Sequence, residues 1–407
     1  MNLQRCCGGS LLITALLLAG CGQAPPPTPI PVATDTPIAT TMPATAPTTA
    51  AASPTPAPAA VATATMPWPT ATLPAAAPSA TPAPSATGIP ATATAGALTK
   101  VTLALDWTPN TNHTGFYVAQ QKGWYQAQGI DLQILPYSDA VSPDALVAAG
   151  KADFAISFVE QVVIDRVTGL PVKSVAALIQ HNTSELVTLK DSGLDRPAKL
   201  EGKRYAGFGS PYEEPVIAAV IKHDGGKTGQ IQNITTNTGG LQALEAKQAD
   251  FVWIYKGWEA IQARHDKVAL NEFLIKDYGV PDYYSPVLIT GESFLQDKRD
   301  LGKRFLAATA QGFQFAIAHP DAAADLLIAA NTPDTFPDKT LVHESAQYLA
   351  TQYQAEAPAW GVQTLQAWSG YPRFMVQTGK LEDANHKPVT ADLDYSAMFS
   401  NTLLPAP

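Results

Sequence analysis

Cysteine is nearly absent from this chain of 407 residues: only Cys6, Cys7 and Cys21 occur, all within the first 21 positions. Whatever folds beyond that point has no disulfide, no thiolate nucleophile and no cysteine-ligated metal. Basic residues are not concentrated either. Lys and Arg are scattered, so no stripe is available to track a nucleic-acid backbone, and no nucleic-acid partner is expected. The net charge of −9 bears mainly on solubility. The apolar run Leu11–Leu18 is too short to cross a bilayer. Enzyme signatures are missing as well: there is no His-Glu-x-x-His, no Gly-x-Ser-x-Gly and no phosphate loop, and the seven histidines lack metal-ligand spacing. No catalytic residue, metal or cofactor is expected.

The first 20 residues read as a bacterial secretory signal, with Arg5 ahead of the apolar run and small residues behind it. Leu18-Ala-Gly-Cys21 resembles the lipobox of bacterial lipoproteins, which implies cleavage before Cys21, its lipidation, and a protein held on the outer face of the cell membrane. Residues 21–98 are Ala, Thr, Pro and Ser with a single charge, Asp35, and hold 18 of the 35 prolines. Such a stretch has few backbone donors and little to bury, so it is expected to be a disordered, extended tether. At about 3.1 Å per residue it reaches on the order of 200 Å.

From Lys100 onward the composition is globular and long enough for two lobes. Val101–Leu105 reads as a strand, Gly115–Gln128 as a helix closed by Gly129, and Ile130–Leu135 as a second strand; the alternation continues and predicts an α/β fold. One unit recurs. Ala145–Phe154 and Ala243–Phe251 both end a helix, turn through Ala-Asp-Phe and enter an apolar strand, as expected of two similarly built lobes. The last third carries helical periodicity over Leu301–His319, Asp321–Ala330 and Val342–Tyr353. The expected division is 99–190 with 285–400 as the first lobe and 191–284 as the second. The chain then crosses near Lys190 and returns near Tyr284.

In open α/β sheets ligands lie beyond the carboxyl ends of strands. The turn after the first strand gathers Asp106, Trp107, Asn110, Asn112 and His113. Trp107 beside two Asn offers a stacking face with amide donors and acceptors, though it equally suits a core cap over a turn built by the Asn residues. Trp253 and Tyr255 share one face of a later strand, with Trp258 close behind. Tyr212, Glu213 and Glu214 occupy a strand-to-helix turn, where a carboxylate either complements the helix dipole or accepts N–H donors from a heterocycle. Tyr284 falls where the chain returns. Sparse Lys and Arg near these turns disfavour a multiply charged ligand; a neutral, flat, hydrogen-bonding heterocycle fits better.

Leu105-Asp-Trp-Thr-Pro-Asn110, His113-Thr-Gly-Phe-Tyr-Val-Ala119, Lys122–Gly129, Ala149–Phe154, Pro171–Ala176, Glu214-Pro215 and Asp277–Pro281 together resemble the thiamin-pyrimidine-precursor family. The resemblance implies a two-lobed periplasmic-binding-protein fold of type II with an interlobe ligand cleft. It implies a receptor that delivers its ligand to an ABC permease, and not the family's synthase branch, which carries a cysteine-rich iron-binding motif. It places the ligand near Trp107, Asn110, Glu214 and Tyr255, and extends to Asn112, Tyr212, Trp253, Trp258 and Tyr284. The number of large rings favours riboflavin over a pyrimidine precursor of thiamin.

Overall fold

A computed structural model describes residues 97–138, 140–235 and 240–406. The signal, Cys21 and the tether as far as residue 96 lie outside them.

The first lobe starts with β1 (Thr99–Ala104), α1 (Thr114–Gln121), α2 (Trp124–Ala127) and β2 (Ile130–Leu135). It continues through α3 (Pro143–Ala148), β3 (Phe154–Ser157), α4 (Val159–Thr168) and β4 (Val172–Ala177). The single helix expected over Gly115–Gln128 is broken at Gly123, whose φ of 72° is left-handed and ends the first helix. The second lobe holds β5 (Ser184–Leu189), β6 (Arg204–Gly207), α5 (Glu213–His223), β7 (Gln232–Thr235), α6 (Gly240–Glu245), β8 (Phe251–Tyr255), α7 (Glu259–His265) and β9 (Leu270–Leu274). The chain then re-enters the first sheet as β10 (Val287–Gly291) and continues through α8 (Glu292–Asp297), α9 (Arg299–Ala318), α10 (Pro320–Ala329), α11 (Lys339–Ala350) and α12 (Leu365–Gln377).

Each lobe has a five-stranded mixed sheet, ordered β2-β1-β3-β10-β4 and β7-β6-β8-β5-β9. In each, one strand is antiparallel to both neighbours: β10 in the first, β5 in the second. The strand that follows a crossing is therefore inserted beside the strand bearing the Ala-Asp-Phe turn. That turn has the same construction twice. Gly150 and Lys247 both adopt left-handed φ, 65° and 56°, and two amides in each case bond back to one helix carbonyl, that of Leu146 or Ala243. Asp153 then accepts the Thr102 amide at 3.0 Å, and Asp250 the Arg204 amide at 2.9 Å, which pins β3 to β1 and β8 to β6.

Because β5 already pairs with β8 and β9, the chain crosses at residues 178–183 and not near Lys190. The turn signal at Lys190–Gly193 marks the far end of β5. The two crossings touch: Asp282 accepts the Asn182 amide at 2.9 Å and bonds His181 Nδ1 at 2.5 Å, while His181 Nε2 bonds Glu356 at 2.9 Å.

The first sheet is covered by α1 and α9, whose rings Phe305 and Phe313 pack with Phe116, Phe154 and Trp360 in one buried cluster. The helices approach so closely that a Cβ on Gly312 would lie 1.9 Å from the Gly115 carbonyl oxygen. On the other side, α12 packs against α4. It was not foreseen in the sequence, where Pro372 interrupts the helical pattern; the proline sits inside the helix all the same.

Candidate functional site

The carboxyl end of β1 is organised by its polar residues. Asn110 caps a short 3-10 turn: its Oδ1 accepts the Asn112 amide at 2.9 Å and its Nδ2 donates to the Thr108 carbonyl at 3.1 Å. The Asn110 amide donates to His113 Nδ1 at 3.3 Å, so Nε2 carries the imidazole proton and donates to Asp106 at 2.8 Å. Asn110 and His113 are thus committed to holding the turn. Asn112 is half-buried beside them. The turn presents Trp107, which is 41% exposed. Its ring lies 4.9 Å from Tyr137, beyond β2, and 6.3 Å, edge-on, from Phe208, beyond β6 in the other lobe. Phe208 is 53% exposed, so apolar rings from both lobes form an uncovered rim.

Behind the rim lies a buried polar interior. Tyr212 and Trp253 pack edge to face at 6.3 Å. The Tyr255 hydroxyl is pushed well up by burial, with Tyr212, Glu160, Glu259 and Asp106 adding to the effect. Glu160, in the first turn of α4, is 1% exposed. Its Oε1 accepts from the Tyr283 hydroxyl at 3.3 Å, and its Oε2 has no hydrogen-bond partner. Burial pushes its pKa up to about 7. Tyr283 in turn stacks on Tyr371 of α12 at 3.8 Å. Nearby, Asp144 accepts from the Ser157 hydroxyl at 2.5 Å, and burial, with the Asp165 carboxylate beside it, pushes its pKa well up. A 690 Å³ cavity, lined by Ile164, Tyr212, Val216, Tyr371, Phe374 and Met375 among others, lies between α4, α5 and α12; it shares Tyr212 and Tyr371 with this interior but is not lined by Trp107, Glu160, Trp253 or Tyr255.

Three expected residues sit elsewhere. Glu214 is exposed; the buried carboxylate of that turn is Glu213, which accepts the amides of Phe208 at 3.0 Å and Ser210 at 3.2 Å. One helical step of rotation separates the two, and Glu213 falls on the stripe of Val216, Ile217 and Val220 that faces the core. Trp258 packs edge-on against Phe336 at 6.3 Å, in a cluster with residues of α10 and α11. Tyr284 is buried and accepts the Thr364 amide at 3.0 Å, fixing the start of α12. Conversely, Tyr137, Glu160, Phe208 and Tyr371 were not singled out from the sequence. Glu160 had a signal: one acid in the apolar turn Val159-Glu-Gln-Val-Val163 directly after a strand. Among the described residues no group of three or more His, Cys, Asp or Glu is placed to hold a metal, and no helix is long and apolar enough to cross a membrane.

Two lobes around mixed sheets, joined by two adjacent crossings with aromatic residues from both lobes at the cleft, define the periplasmic-binding-protein fold. Solved structures agree. A ligand-binding component of an ABC-type import system from Staphylococcus aureus aligns with TM-score 0.54 and 13% identity, over 75% of this chain and 97% of that one. The periplasmic aliphatic sulphonate-binding protein SsuA of Escherichia coli aligns with TM-score 0.53 and 12% identity, over 74% and 91%. The chain belongs to the NMT1/THI5-like family, whose model matches residues 110–323. Relatives include a formylaminopyrimidine-binding protein of Halalkalibacterium halodurans, 27% identical over 74% of this chain and 91% of its own length. Another is the riboflavin-binding protein RibY of Chloroflexus aurantiacus, 27% identical over 78% and 89%. A 4-amino-5-hydroxymethyl-2-methylpyrimidine phosphate synthase of Legionella pneumophila is 27% identical over 57% and 73%. This chain is a solute-binding protein of the periplasmic-binding fold.

Proposed function

We propose that the protein is a lipid-anchored receptor that captures a flat, vitamin-type nitrogen heterocycle outside the cell membrane and hands it to an ABC permease. The observation that carries this reading is the aromatic rim: Trp107 and Phe208, from opposite lobes, both expose rings that a planar ligand can stack on as the lobes close. Ligand contacts are assigned to Trp107, Tyr212, Trp253 and Tyr255, with Phe208 and Tyr137 added to them. Cys21 is the lipidation site and residues 22–98 the tether. The role is transport and not catalysis, because a cleft of stacking rings, tyrosines and buried carboxyls lacks an activated nucleophile.

The surplus of rings that favoured riboflavin shrinks once Trp258 lies on Phe336 and Tyr284 on Thr364. A one-ring pyrimidine is then the better match. Riboflavin retains one specific argument, the 690 Å³ cavity bordering Tyr212, which exceeds what a single ring fills. Calorimetric titration of the purified chain with formylaminopyrimidine and with riboflavin separates the two, and the bound solute should be recovered chemically unaltered. Turnover of either without an added cofactor defeats the receptor reading.

A further inference from the structure

Trp107 and Tyr255 belong to different lobes, yet the turns that carry them meet on one buried residue of α11. Ser345 is fully buried, and Thr111, in the turn after β1, nearly so. The Ser345 hydroxyl donates to the carbonyl of Gly257, two residues beyond Tyr255, and lies 2.5 Å from the Thr111 hydroxyl. A serine has one proton to give; with that proton on Gly257, Thr111 is the donor to Ser345. An ordered chain therefore runs from the Thr111 hydroxyl through Ser345 to the Gly257 carbonyl, from the first lobe to the second. Both ends are held. The Thr111 carbonyl accepts from the hydroxyls of Tyr353 at 2.6 Å and Thr114 at 2.8 Å. The Lys256 amide donates to the Thr183 carbonyl of the outgoing crossing at 3.0 Å. A Cβ on Gly257 would stand 2.9 Å from the Leu349 side chain, so the second lobe's turn reaches α11 with bare backbone. Both bonds of Ser345 leave its own helix, whereas a serine inside a helix commonly bonds back to a carbonyl one turn earlier.

We propose that Ser345 is a positioning residue of the solute site. It acts through the two turns and not on the solute: it holds the Trp107 turn and the Tyr255 turn at one spacing, so that a planar ring meets both lobes at once. The inference rests on the receptor reading above and adds the residue that couples the lobes within it. Without the hydroxyl, the Gly257 carbonyl and the Thr111 hydroxyl are left buried and unpaired, and each turn settles apart from the other. Affinity then falls, because the solute must order both turns as it binds.

Hydrogen exchange on the full chain, read by mass spectrometry without ligand, tests the coupling. Ser345→Ala should speed exchange by about tenfold or more at the Asn112 and His113 amides of one turn and the Lys256 and Trp258 amides of the other, while β1 and β6 stay protected. Thr111→Val leaves the Ser345–Gly257 bond in place and should free the first turn alone; it also decides the matter by the same readout if Ser345→Ala does not fold. Faster exchange confined to α11, or spread evenly over the chain, is what a merely structural serine gives and overturns the proposal. Calorimetric titration with formylaminopyrimidine and with riboflavin supplies the second arm. Whichever solute wild type binds, Ser345→Ala should bind it about tenfold more weakly. Unchanged affinity in a folded Ser345→Ala defeats the positioning role and spares the receptor reading. Wild type that binds neither solute defeats the receptor reading, and the positioning role falls with it.

Discussion

Gly312→Ala tests whether the contact of α1 with α9 sets the position of the site. In an ordinary helix the change is favourable, because glycine in a helix interior costs about 1 kcal/mol relative to alanine. Here the new Cβ would meet the Gly115 carbonyl oxygen at 1.9 Å and its carbon at 2.8 Å. Those atoms are backbone and cannot rotate aside, so the helices must separate by more than an ångström, against interior packing that tolerates little strain. Overpacking of a filled core costs about 1–3 kcal/mol, and a backbone collision belongs at the upper end. Subtracting the propensity gain leaves a net loss of about 2 kcal/mol. Gly370→Ala is the matched control. Gly370 also lies inside a helix, but its Cβ would meet only Pro281 at 3.5 Å, an ordinary contact, so stability should rise by about 0.5–1 kcal/mol. Urea denaturation of the three chains, followed by far-UV circular dichroism, gives both numbers. If Gly312→Ala is as stable as Gly370→Ala, the close approach is not real and the reasoning fails. The variant has a second consequence: α1 begins directly after the turn that presents Trp107, so displacing it should weaken ligand binding as well.

Trp107→Ala should leave stability nearly unchanged, since the ring is 41% exposed, yet cost about 1–3 kcal/mol of binding from lost stacking, read by calorimetry. Asp250→Asn replaces the acceptor of the Arg204 amide and should destabilise by about 1–3 kcal/mol in urea melts; Asp153→Asn should act alike because its carboxylate does the same work in the other lobe. His265 of α7 bonds Asp338 at 2.6 Å and Glu344 of α11 at 3.1 Å, and the Asp338 bond, the largest cause, raises its pKa. With the folded pKa above the unfolded value of about 6.5, the contribution is complete below that pH and disappears as pH rises through the folded value. Both carboxylates are nearly half exposed, so the effect is about 1 kcal/mol or less; the difference in melting temperature between wild type and His265→Gln should shrink from pH 6 to pH 9.

The fold was legible wherever period and punctuation agreed. Val101–Leu105, Ile130–Leu135 and the two Ala-Asp-Phe turns are strong local signals, and the repeated turn correctly pointed to two lobes of like construction. Segments governed by distant contacts were not legible. Ser184–Leu189 belongs to the second sheet only through β8 and β9, and Leu365–Gln377 is helical despite Pro372 because it packs on α4. The site shows the same split. Trp107 stood out because it follows a strand, whereas Tyr137 and Phe208 become its neighbours only after both sheets have formed. Glu213 was distinguishable from Glu214 by the apolar stripe behind it, a signal present in the sequence but not used.

The contact between the two crossings limits how the lobes can move. A protein whose domains were joined by two independent tethers could shear, twist and open separately. Here Asp282 of the return segment grips both the amide of Asn182 and the ring of His181 in the outgoing one, and His181 is itself anchored to Glu356. The dihedral changes in the two segments are therefore geared together. A rotation of one lobe against the other that keeps these bonds must turn about the neighbourhood of residues 181 and 282. Under the receptor role proposed above, that rotation is what a membrane partner would have to read to tell the loaded form from the empty one.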